Sequence, residues 1–322
     1  MPPQLIPFKT LDVFTSTPFS GNPLAVVSIP PGTTLSQTQK QLIAKEFNLS
    51  ETTFVHELTD QEAEAGAASS QERVFDIFTR EAELPFAGHP TIGTAAVLYP
   101  RGVTRLRAKA GLIQLEAVES GGYRAEIPFD VRLHGSRLPG IQTSGSGSVP
   151  QAILDAENGA PLFSIVNGMA FALIELPSLE VLESLPVGGG SELPELSADL
   201  LDEGWSNGWV TRRYYFVRLG SETRNGKTVH QLRTRLVRRD MEDPGTGSAA
   251  CALAGYLSLY VVKEQGEIGF GVTQGVEMGR VNRILVDTQI STGGEDGRRV
   301  LEKVFLGGEA VEVSRGEIVV PE

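Results

Sequence analysis

Apolar and β-branched residues fall into short runs bounded by turn residues, and this pattern predicts a chain made mostly of strands. In the first half the runs cover residues 8–14, 24–29, 52–56, 74–79 and 113–117; in the second half they cover 163–166, 171–176, 214–219, 229–237 and 284–288. The tail over residues 300–320 has the same character. Helical spacing is scarcer. Ser36 is placed to cap a helix running to about Glu46, in which Leu42, Ile43, Glu46 and Phe47 share a face that Glu46 interrupts. Two further helices are expected after His89-Pro90 and Asp243-Pro244. Their bodies, residues 93–98 and 247–259, are small or apolar on every side, which places each inside a core.

Length gives a prior of two domains, since 322 residues is about twice the usual ~150. Gly, Ser and Pro cluster over residues 135–150 and 187–195, and a third loop is read over 62–71. A boundary near residue 130 follows. The expected lobes are 1–130, which the strand near 300–320 can complete, and 131–322, with an active-site cleft between them.

The two buried helices open on related sequences. His89-Pro90-Thr91-Ile92-Gly93-Thr94-Ala95-Ala96 lies without gaps over Asp243-Pro244-Gly245-Thr246-Gly247-Ser248-Ala249-Ala250, and Ala25 to Pro30 weakly echoes Ala172 to Pro177. Recurrent Pro and small residues at helix starts are the plain alternative, but similar helices half a chain apart favour duplication. Pro at the first helical position leaves the free amides of each helix start exposed, and Gly93 and Gly247 remove side chains that would block them. Two such starts facing one cleft would form a carboxylate site.

Such a site matters because the chain is acidic, with a formal net charge of -12, so nucleic acid is not an expected partner. The single cysteine, Cys251, excludes an internal disulfide framework. The four histidines lack metal-ligand spacing. Neither a secretory signal nor an apolar run long enough to span a bilayer is read, so a cytoplasmic location is expected, away from any membrane. Gly245-Thr246-Gly247-Ser248 lacks the ending of a phosphate loop, and no cofactor is expected.

Several segments in order resemble the phenazine-biosynthesis-like family. They are Asp12-Val13-Phe14-Thr15 with Gly21-Asn22-Pro23-Leu24, Leu49-Ser50-Glu51-Thr52-Thr53-Phe54-Val55, Glu83-Leu84-Pro85-Phe86-Ala87-Gly88-His89-Pro90-Thr91, Glu242-Asp243-Pro244-Gly245-Thr246-Gly247-Ser248-Ala249, and Gln274-Gly275 with Gly279-Arg280. They run through nearly the whole chain. The resemblance implies an α+β fold of diaminopimelate-epimerase type, with two pseudo-symmetric lobes, each a barrel-like sheet around a central apolar helix. It also implies a homodimer and a cofactor-independent isomerase acting on a small anionic carboxylate. The family's best-known substrate is trans-2,3-dihydro-3-hydroxyanthranilate.

The resemblance makes Glu51 the proton-shuttling residue, although by itself a glutamate at a strand mouth is more often solvated. It gives His89 and Asp243 roles in orienting the substrate, for which the residues alone leave capping equally open. Gly88, Gly247 and Ser248 would contact substrate, with Ser50 nearby. Asn22 is read as shaping a turn. Arg235 stands where the family carries an arginine, but the charged segment after it departs from the family pattern. A thiol racemase would need paired cysteines, and Ala87 stands where one is required. A non-catalytic binding protein of the same fold would be expected to lose Glu51, His89 and Asp243, and all three are present.

Overall fold

The computed structural model describes residues 3–59, 61–62, 70–119, 121–140, 149–185, 193–206, 211–224, 226–237, 241–293 and 297–322. Most of the loops expected at 62–71 and 187–195, half of that at 135–150 and the pair Arg238-Arg239 lie outside these residues; the start of the middle loop, Gly135 to Arg137, belongs instead to a strand. Two units are distinguished: Met1–Ile127 with Leu306–Glu322, and Pro128–Phe305.

In the first unit, β1 (Leu5–Val13) pairs antiparallel with β2 (Asn22–Ile29) and with the C-terminal strand Ala310–Val319. β2 runs parallel to β3 (Thr52–His56), which is antiparallel to β4 (Glu72–Phe78). β4 carries the short β5 (Glu83–Leu84) and runs parallel to β6 (Arg105–Ala108); β7 (Gly111–Ala117) and β8 (Tyr123–Glu126) follow antiparallel. Parallel neighbours need a crossover. Helix α1 (Gln37–Phe47) lies on the connection from β2 to β3, and α2 (Gly88–Leu98) on that from β4 to β6.

Helix α1 forms where expected, with a capping box in which the Ser36 side chain accepts from the Gln39 amide and Gln39 reaches back to Ser36. The expected face is only partly used, because Ile43 is buried while Leu42 is 44% exposed. Alternate strand residues serve the two helices. Val27, Ile29 and Phe54 join Ile43 and Ala44 of α1 in one cluster. Leu24 and Thr53 point the other way, toward α2, where the Thr53 and Thr94 hydroxyls are 3.1 Å apart. Cover on both faces explains why β2 and β3 read as nearly continuous apolar runs.

The second unit repeats this order. β9 (Arg132–Arg137), β10 (Pro161–Val166) and β11 (Met169–Glu175) are antiparallel neighbours, and β11 runs parallel to β12 (Arg212–Arg224). β13 (Lys227–Val237) follows antiparallel and carries β14 (Glu242–Asp243). β15 (Gly266–Gln274) runs parallel to β13, and β16 (Asn282–Gly293) closes antiparallel. Two short helices unread in the sequence, α3 (Gln151–Glu157) and α4 (Leu179–Glu183), pack with Leu162, Ala172, Ile174, Tyr215 and Val217. The intervening residues face α5 (Gly247–Tyr260), as Phe163 does against Tyr256 at 5.9 Å.

Duplication is therefore visible in the strand order, but the motif alignment is corrected. The run β5, Pro85, two residues and α2 matches the run β14, Pro244, two residues and α5. Glu83, Pro85 and Gly88 thus lie over Glu242, Pro244 and Gly247, a shift of five residues from the alignment on Pro90. Structurally, His89 corresponds to Ser248 and not to Asp243. The sequence alignment slid because small residues recur through both helices. The weaker echo is in register, since Ala25 and Ala172 both sit on the strand that begins the parallel pair.

Two related expectations also change. Pro90 is the third residue of α2, so only the Gly88 and His89 amides lack a helical partner there before Thr91 bonds Ala87. Pro244 precedes α5, whose N-cap is Thr246 and not Asp243. Gly93, expected to keep the start of α2 open, is instead a packing residue. A Cβ there would strike the Leu24 side chain and lie 2.8 Å from Val13 Cγ2. Gly93→Ala should therefore cost about 1–3 kcal/mol of stability by overpacking, read as a lowered urea midpoint with an unchanged slope.

Candidate active site

Parallel pairing brings the first group of side chains together. Because β2 and β3 run the same way with Ala25 opposite Thr52, Asn22 and Glu51 lie at the same end of the sheet. Asn22 precedes Leu24 by two residues and Glu51 precedes Thr53 by two, so both continue the alternation on the α2 side. The chain reaches Glu51 through Asn48, the α1 C-cap in left-handed conformation, and the turn through Ser50. His89 is the second residue of the buried helix α2.

The Glu51 carboxylate Oε2 lies 3.5 Å from His89 Nδ1, with the two side chains 18% and 6% exposed. Asn22 Nδ2 is also 3.5 Å from His89 Nδ1, and Ser50 Oγ is 3.5 Å from Asn22 Oδ1. His89 Nε2 is buried and has no hydrogen-bond partner among the described residues. Glu51, His89 and Ser50 are thus brought together at one end of the first unit's sheet. Asn22, which the sequence reading assigned to a turn, belongs to the same group, buried at 1% exposure. The signal available was its position two residues before Leu24 on a strand with two covered faces.

The second unit holds Asp243, Gly247 and Ser248 around the start of α5. Asp243 Oδ2 accepts from Thr246 Oγ1 at 2.5 Å, and Gln274 Nε2 donates to the Asp243 carbonyl at 2.8 Å. Gln274 Oε1 in turn accepts from the Thr246 amide at 3.2 Å and from the Tyr214 hydroxyl at 3.0 Å. Asn282 Nδ2 donates to the carbonyls of Pro244 and Arg280 at 2.6 and 2.8 Å. Gly275 is left-handed at φ +77°, and any Cβ on it would strike the Arg280 and Pro244 carbonyls. The Gln274-Gly275 motif is therefore a brace for the loop that presents Asp243.

Arg235 is structural. It is fully buried, pairs through Nε and Nη2 with both oxygens of Glu242 at 2.8 and 2.7 Å, and donates through Nη1 to the Leu182 and Leu185 carbonyls. Its charge is consumed by these contacts, and it fixes the strand immediately before Asp243.

A second arrangement has the residue types of a hydrolase triad. Ser164 Oγ is 2.9 Å from His134 Nε2, and Asp202 is the residue beyond. The Asp202 main-chain N–H donates to His134 Nδ1 at 3.1 Å, so the ring's own proton sits on Nε2 and the ring offers Ser164 no base. Burial further lowers the His134 pKa, which keeps the ring neutral. Among the described residues, no group of three His, Cys, Asp or Glu side chains is placed to hold a metal, and no helix is long and apolar enough to cross a membrane.

The family model described as phenazine biosynthesis-like protein matches residues 11–188 and 240–316. An uncharacterized isomerase of Pasteurella multocida is 33% identical over 98% of this chain and 94% of its own length. A trans-2,3-dihydro-3-hydroxyanthranilate isomerase of Pseudomonas chlororaphis is 28% identical over 97% of this chain and 99% of its own. The crystal structure of a PhzF-family phenazine biosynthesis protein from Bacillus anthracis shares the fold with a TM-score of 0.69, at 21% identity, covering 98% of this chain and 100% of that one.

Cys251 takes no part in either group of residues. It lies within α5, it is 1% exposed, and burial pushes its thiol pKa well above the ordinary range. Native protein should resist alkylation at Cys251, react fully once denatured, and keep wild-type turnover as Cys251→Ala. Rapid modification of the folded protein with loss of activity would assign the thiol a role.

Proposed function

The chain belongs to the phenazine biosynthesis-like family, and on that premise we propose that it is a cofactor-independent isomerase in which Glu51 moves a proton on a small carboxylated substrate. The observation that carries this reading is the pairing of a half-sheltered carboxylate with a buried imidazole at the start of α2. A carboxylate needs partial shelter to be a useful base near neutral pH, and it needs a partner that holds it in place. Ionised Glu51 takes a proton from a substrate carbon. The resulting carboxylic acid returns that proton at another carbon of the same molecule, so the C–H bond broken and the C–H bond formed balance without an external donor.

His89 orients the substrate by its buried ring. Substrate contacts are assigned to Ser50, Gly88, Gly247 and Ser248, the glycines through their amides and the serines through their hydroxyls. Asp243 completes the set, with Thr246 and the Gln274 brace supporting its loop. In the same reading, each unit is a barrel-like sheet around its apolar helix. The contacts of α2 with β1, β2, β3, β8 and the C-terminal strand support that arrangement in the first unit.

The relatives whose printed activity is isomerisation of trans-2,3-dihydro-3-hydroxyanthranilate make that compound the first substrate to offer. Glu51→Gln should lower kcat by about 10²–10⁴-fold or more, the range supplied by one acid–base group, with folding unchanged by circular dichroism. His89→Ala and Asp243→Ala should each reduce turnover with little loss of structure. Wild-type rates in Glu51→Gln would refute the assignment.

A further inference from the structure

His89 Nδ1 has two neighbours at 3.5 Å, and they make opposite demands. Ionised Glu51 can only accept a hydrogen bond, whereas Asn22 Nδ2 can only donate one. A neutral imidazole carries one N–H. With that proton on Nδ1, the ring donates to Glu51, stabilises its charge, and leaves it a weaker base. With the proton on Nε2, Nδ1 accepts from Asn22 and the Glu51 charge is not engaged by the ring.

The surroundings of Asn22 favour the second arrangement. Its side chain is buried, and Ser50 Oγ donates to its Oδ1, which turns Nδ2 toward the ring. Both contacts stand at the long end of hydrogen-bond range, as catalytic contacts do before a substrate draws them together. Nε2 is fully buried and unpartnered. A buried donor without a partner is unfavourable in a resting protein and is explained where a ligand supplies the acceptor.

We propose that Asn22 is a positioning residue that selects the Nε2–H tautomer of His89, so that the ring presents a donor to an oxygen of the substrate and does not itself donate to the Glu51 carboxylate. The proposal rests on the roles of Glu51 and His89 given above and assigns Asn22 a task beyond turn formation. The imidazole then acts through a fixed hydrogen bond and takes no proton from the carbon.

The experiment is ¹⁵N NMR of the full-length, substrate-free protein labelled at histidine, at a pH above the imidazole titration. The His89 ring is identified by the signals lost in His89→Asn. Wild type should carry the proton on Nε2. The isosteric Asn22→Asp replaces the donor with an acceptor and should move the proton to Nδ1, with kcat/KM about 10–100-fold lower and most of the loss in kcat, as for other groups that act by orienting a ligand-binding histidine. If Asn22→Asp folds poorly, Asn22→Ala should still populate both tautomers. A proton on Nδ1 in wild type, or an unchanged Nε2–H in both variants, overturns the proposal. The tautomer is read without turnover, so full activity of Glu51→Gln would sink the proton-transfer reading and leave this result standing by itself.

Discussion

The parallel pairing of β2 with β3 is the constraint from which the first half of the site follows. It forces a crossover, and α1 supplies one. It sets the starts of both strands at one end of the sheet. Because alternate residues face opposite sides, Asn22 and Glu51 then point to the side covered by α2, where His89 waits at the second helical position. A one-residue slip in this register would turn Glu51 away from His89, to the side occupied by Ile43 and Phe54.

The second unit uses the same strand order for a different purpose. Its equivalent of Thr52 is Arg213, so the position matching Glu51 is occupied by Arg212, and no carboxylate is offered there. Its candidate residues lie instead around the loop between β14 and α5. That loop is held from one side by the buried Arg235–Glu242 pair and from another by Gln274 and Asn282. Buried ion pairs of this kind contribute little net stability, yet losing one partner costs about 3–5 kcal/mol, which makes the pair a way of fixing position. The two frames are similar, and only the first carries a carboxylate at the position of Glu51.

Much of this was legible in the chain. Strand positions were visible because strands covered on both faces read as apolar runs, and α1 because Ser36 and Gln39 complete a capping box. Strands β6, β8 and β9 were missed because charged residues interrupt their apolar pattern, as Arg105, Arg107 and Arg132 show. The internal repeat was visible, but its register was not, since alanine and glycine recur too often in the two buried helices to fix an alignment. Glu51, Ser50 and His89 fell together as expected. Asn22 was readable only from its place on β2, and the role of Gln274 could not be read because it depends on contacts between strands and loops far apart in the chain. The role of Arg235 was left open, because nothing in a sequence distinguishes an arginine that meets a ligand from one that meets Glu242.

The central claim is that one carboxylate moves one proton between two carbons. The most direct test uses the proposed substrate deuterated at the carbon that loses hydrogen, converted in ordinary water and analysed by mass spectrometry. The account predicts product that retains part of the deuterium at its new carbon with wild type, and at least about 100-fold slower formation of product with Glu51→Gln. Product formed equally well by both proteins, or product from wild type that has lost every deuteron to water, would contradict transfer by a single sheltered Glu51.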